Sequence, residues 1–148
     1  MAPVIAAFAL RTFAALGMSA TPAERTLRGG DELLWLSNAE AASETGIFSN
    51  VSLELLIAEL HSWVMSIGMR LFGEQIDPTL RIVQVGVAVA GIALIAAAVH
   101  DLSGPRGGLM AAWVLALEPS SIFFSSILHK EPLLILAAGL IALGGENQ

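Results

Sequence analysis

Asp31 and Glu32 are adjacent carboxylates in RGGDELLWL, residues 28–36, set between two glycines and an apolar run. Beside hydrocarbon, such an acid is a candidate general base, able to take the proton of an attacking hydroxyl. At the first turn of a helix the same pair would equally sit as solvated groups favoured by the helix dipole. Neighbours on a helix point about 100° apart, so one acid can face a substrate while the other holds a metal or caps the helix. His61, two residues before Trp63, is either a packed or snorkelling side chain or a ligand. His129-Lys130-Glu131 opens the last apolar run. It reads as an interfacial anchor with Glu131 in a first helical turn, or as a site where His129 and Lys130 attract a phosphate and Glu131 orients a partner or a metal. Glu118, just before Pro119 and deeper in apolar sequence, needs a hydrogen-bond partner. No phosphate-binding glycine loop, HExxH or GxSxG occurs.

The background to these groups is strongly apolar. Of 148 residues, 55% are hydrophobic and 14% charged, against roughly 25% charged in soluble domains, and mean hydropathy is +0.75. That is too little polar surface for a water-soluble globule and points to an integral membrane protein. The net charge of −6, with no basic run, argues against nucleic-acid binding. Absence of cysteine excludes disulfides, thiolate zinc sites and a cysteine nucleophile. Tyrosine is absent as well, which leaves three tryptophans and six phenylalanines as aromatic anchors.

Positioning falls to helices. The first apolar run lacks the basic segment that precedes a signal sequence, so it reads as a membrane helix over about 3–18, with Arg11 as its only charge. This is short of the ~20 residues a span needs; either its natural start lies further upstream or Arg11 snorkels from one end. Ile82–Val99 is the clearest span, interrupted only by Gln84. HDLSGPRGG, residues 100–108, reads as a tight loop. A third span covers about 109–128, with a kink or end at Glu118-Pro119. A fourth, about 132–145, is too short to cross a bilayer and suggests a fragment of a longer protein. Between the first two spans, apolar periodicity predicts interfacial helices over about 31–45 and 52–72, the second with Leu56, Leu60, Trp63, Ile67 and Leu71 along one face. The expected fold is all-α and polytopic, a single membrane domain of about four membrane helices with two interfacial helices in a long first loop. Alternating spans would bring that loop and the His129–Glu131 turn to one membrane surface, and residues 100–108 to the other.

The order of the pieces adds a further reading. Leu10-Arg11 lies near the end of the first span, and Asp31-Glu32 is followed by Trp35 and Ala39. His61-Ser62-Trp63 leads to Leu71-Phe72-Gly73, and a glycine-bearing span, GPRGGLMAA, PSSIFFSS and KEPLL follow in turn. This collinear set resembles the N-terminal part of polytopic glycosyltransferases of the C superfamily, in particular the family 39-like, protein-mannosyltransferase-like group, over essentially the whole chain. The resemblance implies a multi-pass protein of the cytoplasmic membrane whose first loop faces outward. It implies transfer of a sugar from a polyprenyl-phosphate donor to a hydroxyl acceptor, with inversion. By position Asp31 is similar to the catalytic carboxylate, Glu32 supports it and Glu131 matches the acid opening the fourth span. His61 matches a position often followed by proline, where this chain has Ser62. A lipid-phosphate leaving group needs a cation or a divalent metal, and Arg28 or Lys130 would supply the former.

Such enzymes need further spans, so the 148 residues alone are expected to be inactive, with the lipid-linked donor, membrane lipid and missing C-terminal spans as partners. Arg25, Arg28, Arg70 and Arg81 in the first loop, against Arg106 in the turn, would by the positive-inside rule put that loop in the cytoplasm. The loop has about the length at which the bias weakens, and the expectation follows the resemblance. The rival is a small non-enzymatic membrane subunit or scaffold; further apolar spans directly downstream would favour the enzyme. An ion-coupled transporter would want acids within its spans, and Ile82–Val99 has none.

Overall fold

The computed structural model describes residues 1–19, 64–67, 70–71, 76–127 and 129–145, and every element among them is helical. Helix α1 is Ala2–Ser19, α2 is Ile76–Leu117, α3 is Pro119–Ser126 and α4 is Glu131–Gly144. Pro3, Pro119 and Pro132 each sit in a first turn, where the missing N–H costs no intrahelical bond.

Helix α2 is two arms folded on one another. Gly104 breaks it with φ 79° and ψ −179°, a backbone region essentially confined to glycine, and Pro105 follows as a ready-made helix start. Beyond that break the chain returns: Gly108 lies against Ala96 and His100, and Ala116 lies with Ile92 in the core. The nine-residue loop expected here is therefore a one-residue corner. Ser103 helps helix run up to it by donating its hydroxyl to the Val99 carbonyl at 2.7 Å.

The returning arm stops at Leu117, only halfway back along the first arm, and α3 completes the journey after Glu118. Helix α4 then runs in the same direction as the first arm, with Gly91 against Ile135 and Leu136, and Gly139 against Leu94. Helix α1 starts beside His100 and Leu109 at the corner and passes Ala116 and Ser121 towards the opposite end. The end of α1, the start of α2 and the turn between α3 and α4 consequently share one end of the bundle. The stretch Thr79–Leu117 is the one among the described residues long and apolar enough to cross a membrane.

The core is small-residue packing. Ala7, Ile92 and Ala116 are fully buried, with Val89, Leu115 and Ile135 against them, so the helices approach closely. The exterior is apolar instead: Phe13 is 80% exposed, Ile141 75% and Val114 66%. Residues 64–67 and 70–71 are helical, as expected within 52–72. Met65 and Ser66 are buried, with Met65 beside Leu80 and Leu133. Ile67 and Leu71 face outward. The stripe read through Ile67 and Leu71 is thus not the side that packs on the bundle. Residues 31–45 and the rest of 52–72 lie outside the described residues.

Where α2 and α4 cross, a Cβ on Gly91 would come within 2.6 Å of the Leu136 nitrogen and 2.7 Å of the Ile135 carbonyl carbon. Both are backbone atoms, so the helices must separate. Gly91→Ala is expected to destabilise the bundle by about 1–3 kcal/mol. Gly17→Ala, where a Cβ meets open space, should be neutral or stabilising by up to about 1 kcal/mol. Reversible unfolding in micelles followed by helical circular dichroism measures both. Equal stability of the two variants would refute the close crossing.

Candidate functional site

Two polar constellations emerge from the described residues. The first lies inside the bundle, where α2 ends and α3 begins. Pro119 has no N–H, so the Leu115 carbonyl loses the donor four residues on. The next two N–H groups are diverted: Ser120 N donates to Glu118 Oε1 at 3.0 Å, and Ser121 N donates to Glu118 Oε2. Glu118, extended at φ −64° and ψ 116°, is therefore the N-cap of α3. Its carboxylate supplies what the partner-seeking acid in the sequence required. This capping strands the carbonyls of Ala116 and Leu117 in turn.

Arg11 meets the first two stranded carbonyls. Its guanidinium donates from Nη2 to the Leu115 carbonyl at 2.9 Å and from Nη1 to the Ala116 carbonyl at 3.0 Å. Nη2 also reaches Ser121 Oγ at 2.8 Å. Arg11 is 0% exposed, so it points into the bundle and does not snorkel. Positive charge at a helix C-terminus is favoured by the dipole as well as by these bonds. Helix α3 ends by the same device: the buried Arg81 donates to the Ser126 carbonyl.

The second constellation is the turn at the loop end of the bundle. His129 Nδ1 hydrogen-bonds Glu131 Oε2, and the ring packs on Phe124 with centroids 4.9 Å apart. Gln84, nearly buried within α2, donates its side-chain N–H to the His129 carbonyl. Lys130 is half-buried at the start of α4, and its ammonium has no hydrogen-bond or ion-pair partner among the described residues. Lys130, with no partner among the described residues, is the group in this turn suited to holding an anion.

His129, Lys130 and Glu131 are consecutive, and the described side-chain contact among them is that of His129 with Glu131. Asp31, Glu32, Arg28 and His61 lie outside the described residues. The connection that carries them leaves α1 and enters α2 at the same end as His129–Glu131. Among the described residues no group of three or more His, Cys, Asp or Glu side chains forms a metal cluster. Arg81 and Gln84 carry no motif. Their signal was an arginine and an amide on one side of an apolar helix start, three residues apart. No family model matches the chain, and neither a curated protein nor a solved structure does.

Arg11→Met strands two buried carbonyls, and against the recovered solvation of the guanidinium the net loss should be about 2–4 kcal/mol. In a Glu118→Ala/Pro119→Ala background the N–H groups of residues 119 and 120 can return to Leu115 and Ala116. There Arg11→Met should cost clearly less. A double-mutant cycle in micelles checks this, and additive losses would rule out the shared carbonyls as the link.

Proposed function

We propose that this chain is the N-terminal part of a multi-pass glycosyltransferase of the cytoplasmic membrane. It takes a sugar from a polyprenyl-phosphate-linked donor and passes it, with inversion, to a hydroxyl acceptor on the extracytoplasmic side. The observation that carries the reading is the collinear order of Leu10-Arg11, Asp31-Glu32, His61-Ser62-Trp63 and KEPLL. Its support from the fold is that the end of α1 and the start of α2 lie at the same end of the bundle as Lys130 and the His129–Glu131 pair.

The bilayer setting is part of the same proposal. An apolar exterior around a core of alanines and buried arginines inverts the pattern of a soluble helical bundle. Four passes follow if the returning arm of α2 and α3 together make one broken span.

In this reading Asp31 takes the proton of the acceptor hydroxyl as its oxygen attacks the anomeric carbon, and Glu32 holds Asp31 in place. The bond from that carbon to the phosphate oxygen breaks on the opposite face, which inverts the centre. Lys130 and His129, with Arg28, receive the charge that develops on the lipid phosphate. His61 is assigned to substrate binding by the same resemblance. A divalent metal held by an acid would serve the same end.

Asp31→Asn in the full-length parent should lower transfer from a labelled polyprenyl-phosphate sugar by about 10²-fold or more, with the protein still inserted in the membrane. Transfer within about twofold of wild type would remove Asp31 from the mechanism; general-base contributions are rarely that small.

A further inference from the structure

We infer that the outer face of the broken span, around Leu117, Glu118 and Ser120, seats a further transmembrane helix from outside these 148 residues, and that this helix presents a hydrogen-bond-donor side chain at mid-membrane. The inference rests on the bilayer placement proposed above.

The depth comes from the packing. Ala116 sits with Ile92, and Ile92 lies roughly midway between Arg81 and Gly104, about 17 Å from each at 1.5 Å per residue. The break beside it falls near the centre of a hydrocarbon layer about 30 Å thick. Irregular backbone at that depth is tolerated only where protein or an aqueous cavity covers it.

On its inner side the break is satisfied by Arg11. On its outer side it is not. The Leu117 carbonyl has lost the Ser121 N–H to Glu118, no described residue donates to it, and Leu117 is 54% exposed. The Glu118 side chain is partly exposed, and the exposed Ser120 gives its hydroxyl proton to that carboxylate. The patch therefore holds a carbonyl, a carboxylate and a hydroxyl oxygen, with acceptor capacity and no free donor.

Lipid chains cannot supply a donor, and an open carbonyl in hydrocarbon costs several kcal/mol. A second copy docking by the same face would set acceptors against acceptors. The complement is a helix whose central residue donates, such as Asn, Gln, Lys or Arg. The flanks fit a helix too: Met110, Val114 and Phe123 are exposed along the same span, before and after the break. These apolar residues would pack on the helix while its central donor reaches Leu117 and Glu118.

The chain has no cysteine, so Gly17→Cys, at an open position on α1, takes a single fluorophore. The labelled chain is reconstituted in phosphatidylcholine vesicles with leucine-rich transmembrane peptides carrying an acceptor dye. One peptide has a central Asn and the other a central Leu. Energy transfer should show the Asn peptide associating about fivefold more tightly, the scale of one interhelical hydrogen bond in a membrane. The preference should fall below about twofold in Glu118→Ala, which removes the carboxylate and frees Ser121 N for Leu117. It should fall likewise in Leu117→Trp, which fills the face and leaves the caps intact. Equal association of the two peptides, or a preference undiminished in both variants, overturns the inference. Alkaline carbonate extraction is read in parallel. Release of the chain from the vesicles would refute the bilayer placement itself, whereas retention without peptide preference refutes only this docking surface.

Discussion

A proline without an N–H, placed where a helix has come only halfway back along its partner, sets the main constraint on this bundle. Pro119 forces α2 to end at Leu117, with the carbonyls of Leu115 and Ala116 left unpaired on the bundle side. Something must donate to them. Glu118 cannot, because a carboxylate only accepts, and here it accepts from Ser120 and Ser121. Arg11, on a different helix more than a hundred residues away in sequence, is the group that does. The position and register of α1 follow from that requirement. The run of small residues around it follows as well: Ala7, Ala15 and Ala116 are all buried, and bulkier side chains would hold α1 too far off for the guanidinium to reach.

Burying an arginine is costly unless its donors are nearly all used. Here the planar fork spans two successive carbonyls and a serine hydroxyl, a geometry an ammonium would not reproduce. Arg81 repeats the solution at the end of α3, on the Ser126 carbonyl. The two helix ends that fall inside the bundle are thus each met by a guanidinium from a neighbouring helix. In both cases the charge faces the negative end of a helix dipole. The broken helix is held on its inner side by α1 and by the first arm of α2, which makes it a fixed feature of the fold.

Much of this was legible in the residues. Apolar length marked 82–99, Glu118-Pro119 marked the break, and Pro132, in the first turn of α4, marked its start. Gly104-Pro105 marked the reversal, although a stretch rich in glycine and serine suggested a nine-residue loop where one glycine suffices. What could not be read locally is which group answers which. Arg11 looked like a charge in need of an exit because its partners lie on a segment that only tertiary packing brings near. Counting the acceptors that Pro119 and Glu118 leave unpaired would have pointed to a missing donor, though not to its address. The outward turn of Ile67 and Leu71 was hidden for a related reason: helical spacing identifies a stripe but not whether it meets protein or lipid. At the candidate site the juxtaposition of His129, Lys130 and Glu131 was visible as a tripeptide, while the support from Gln84 and Phe124 depended on the fold.

The helix break and the loop-end turn are connected through α3, eight residues long, with Arg11 and Glu118 at one end and Arg81 and His129 near the other. Fixing the first therefore places the second, and with it the proposed phosphate-facing groups. The most direct test of this account is isotope-edited infrared spectroscopy of the chain in bilayers, with ¹³C=¹⁸O placed singly at Leu115, Ala116 or Leu117. The Leu115 and Ala116 stretches should lie below that of Leu117, and Arg11→Met should move both upward while leaving Leu117 unchanged. Leu115 and Ala116 stretches that do not respond to Arg11→Met would contradict the claim that Arg11 completes the broken helix.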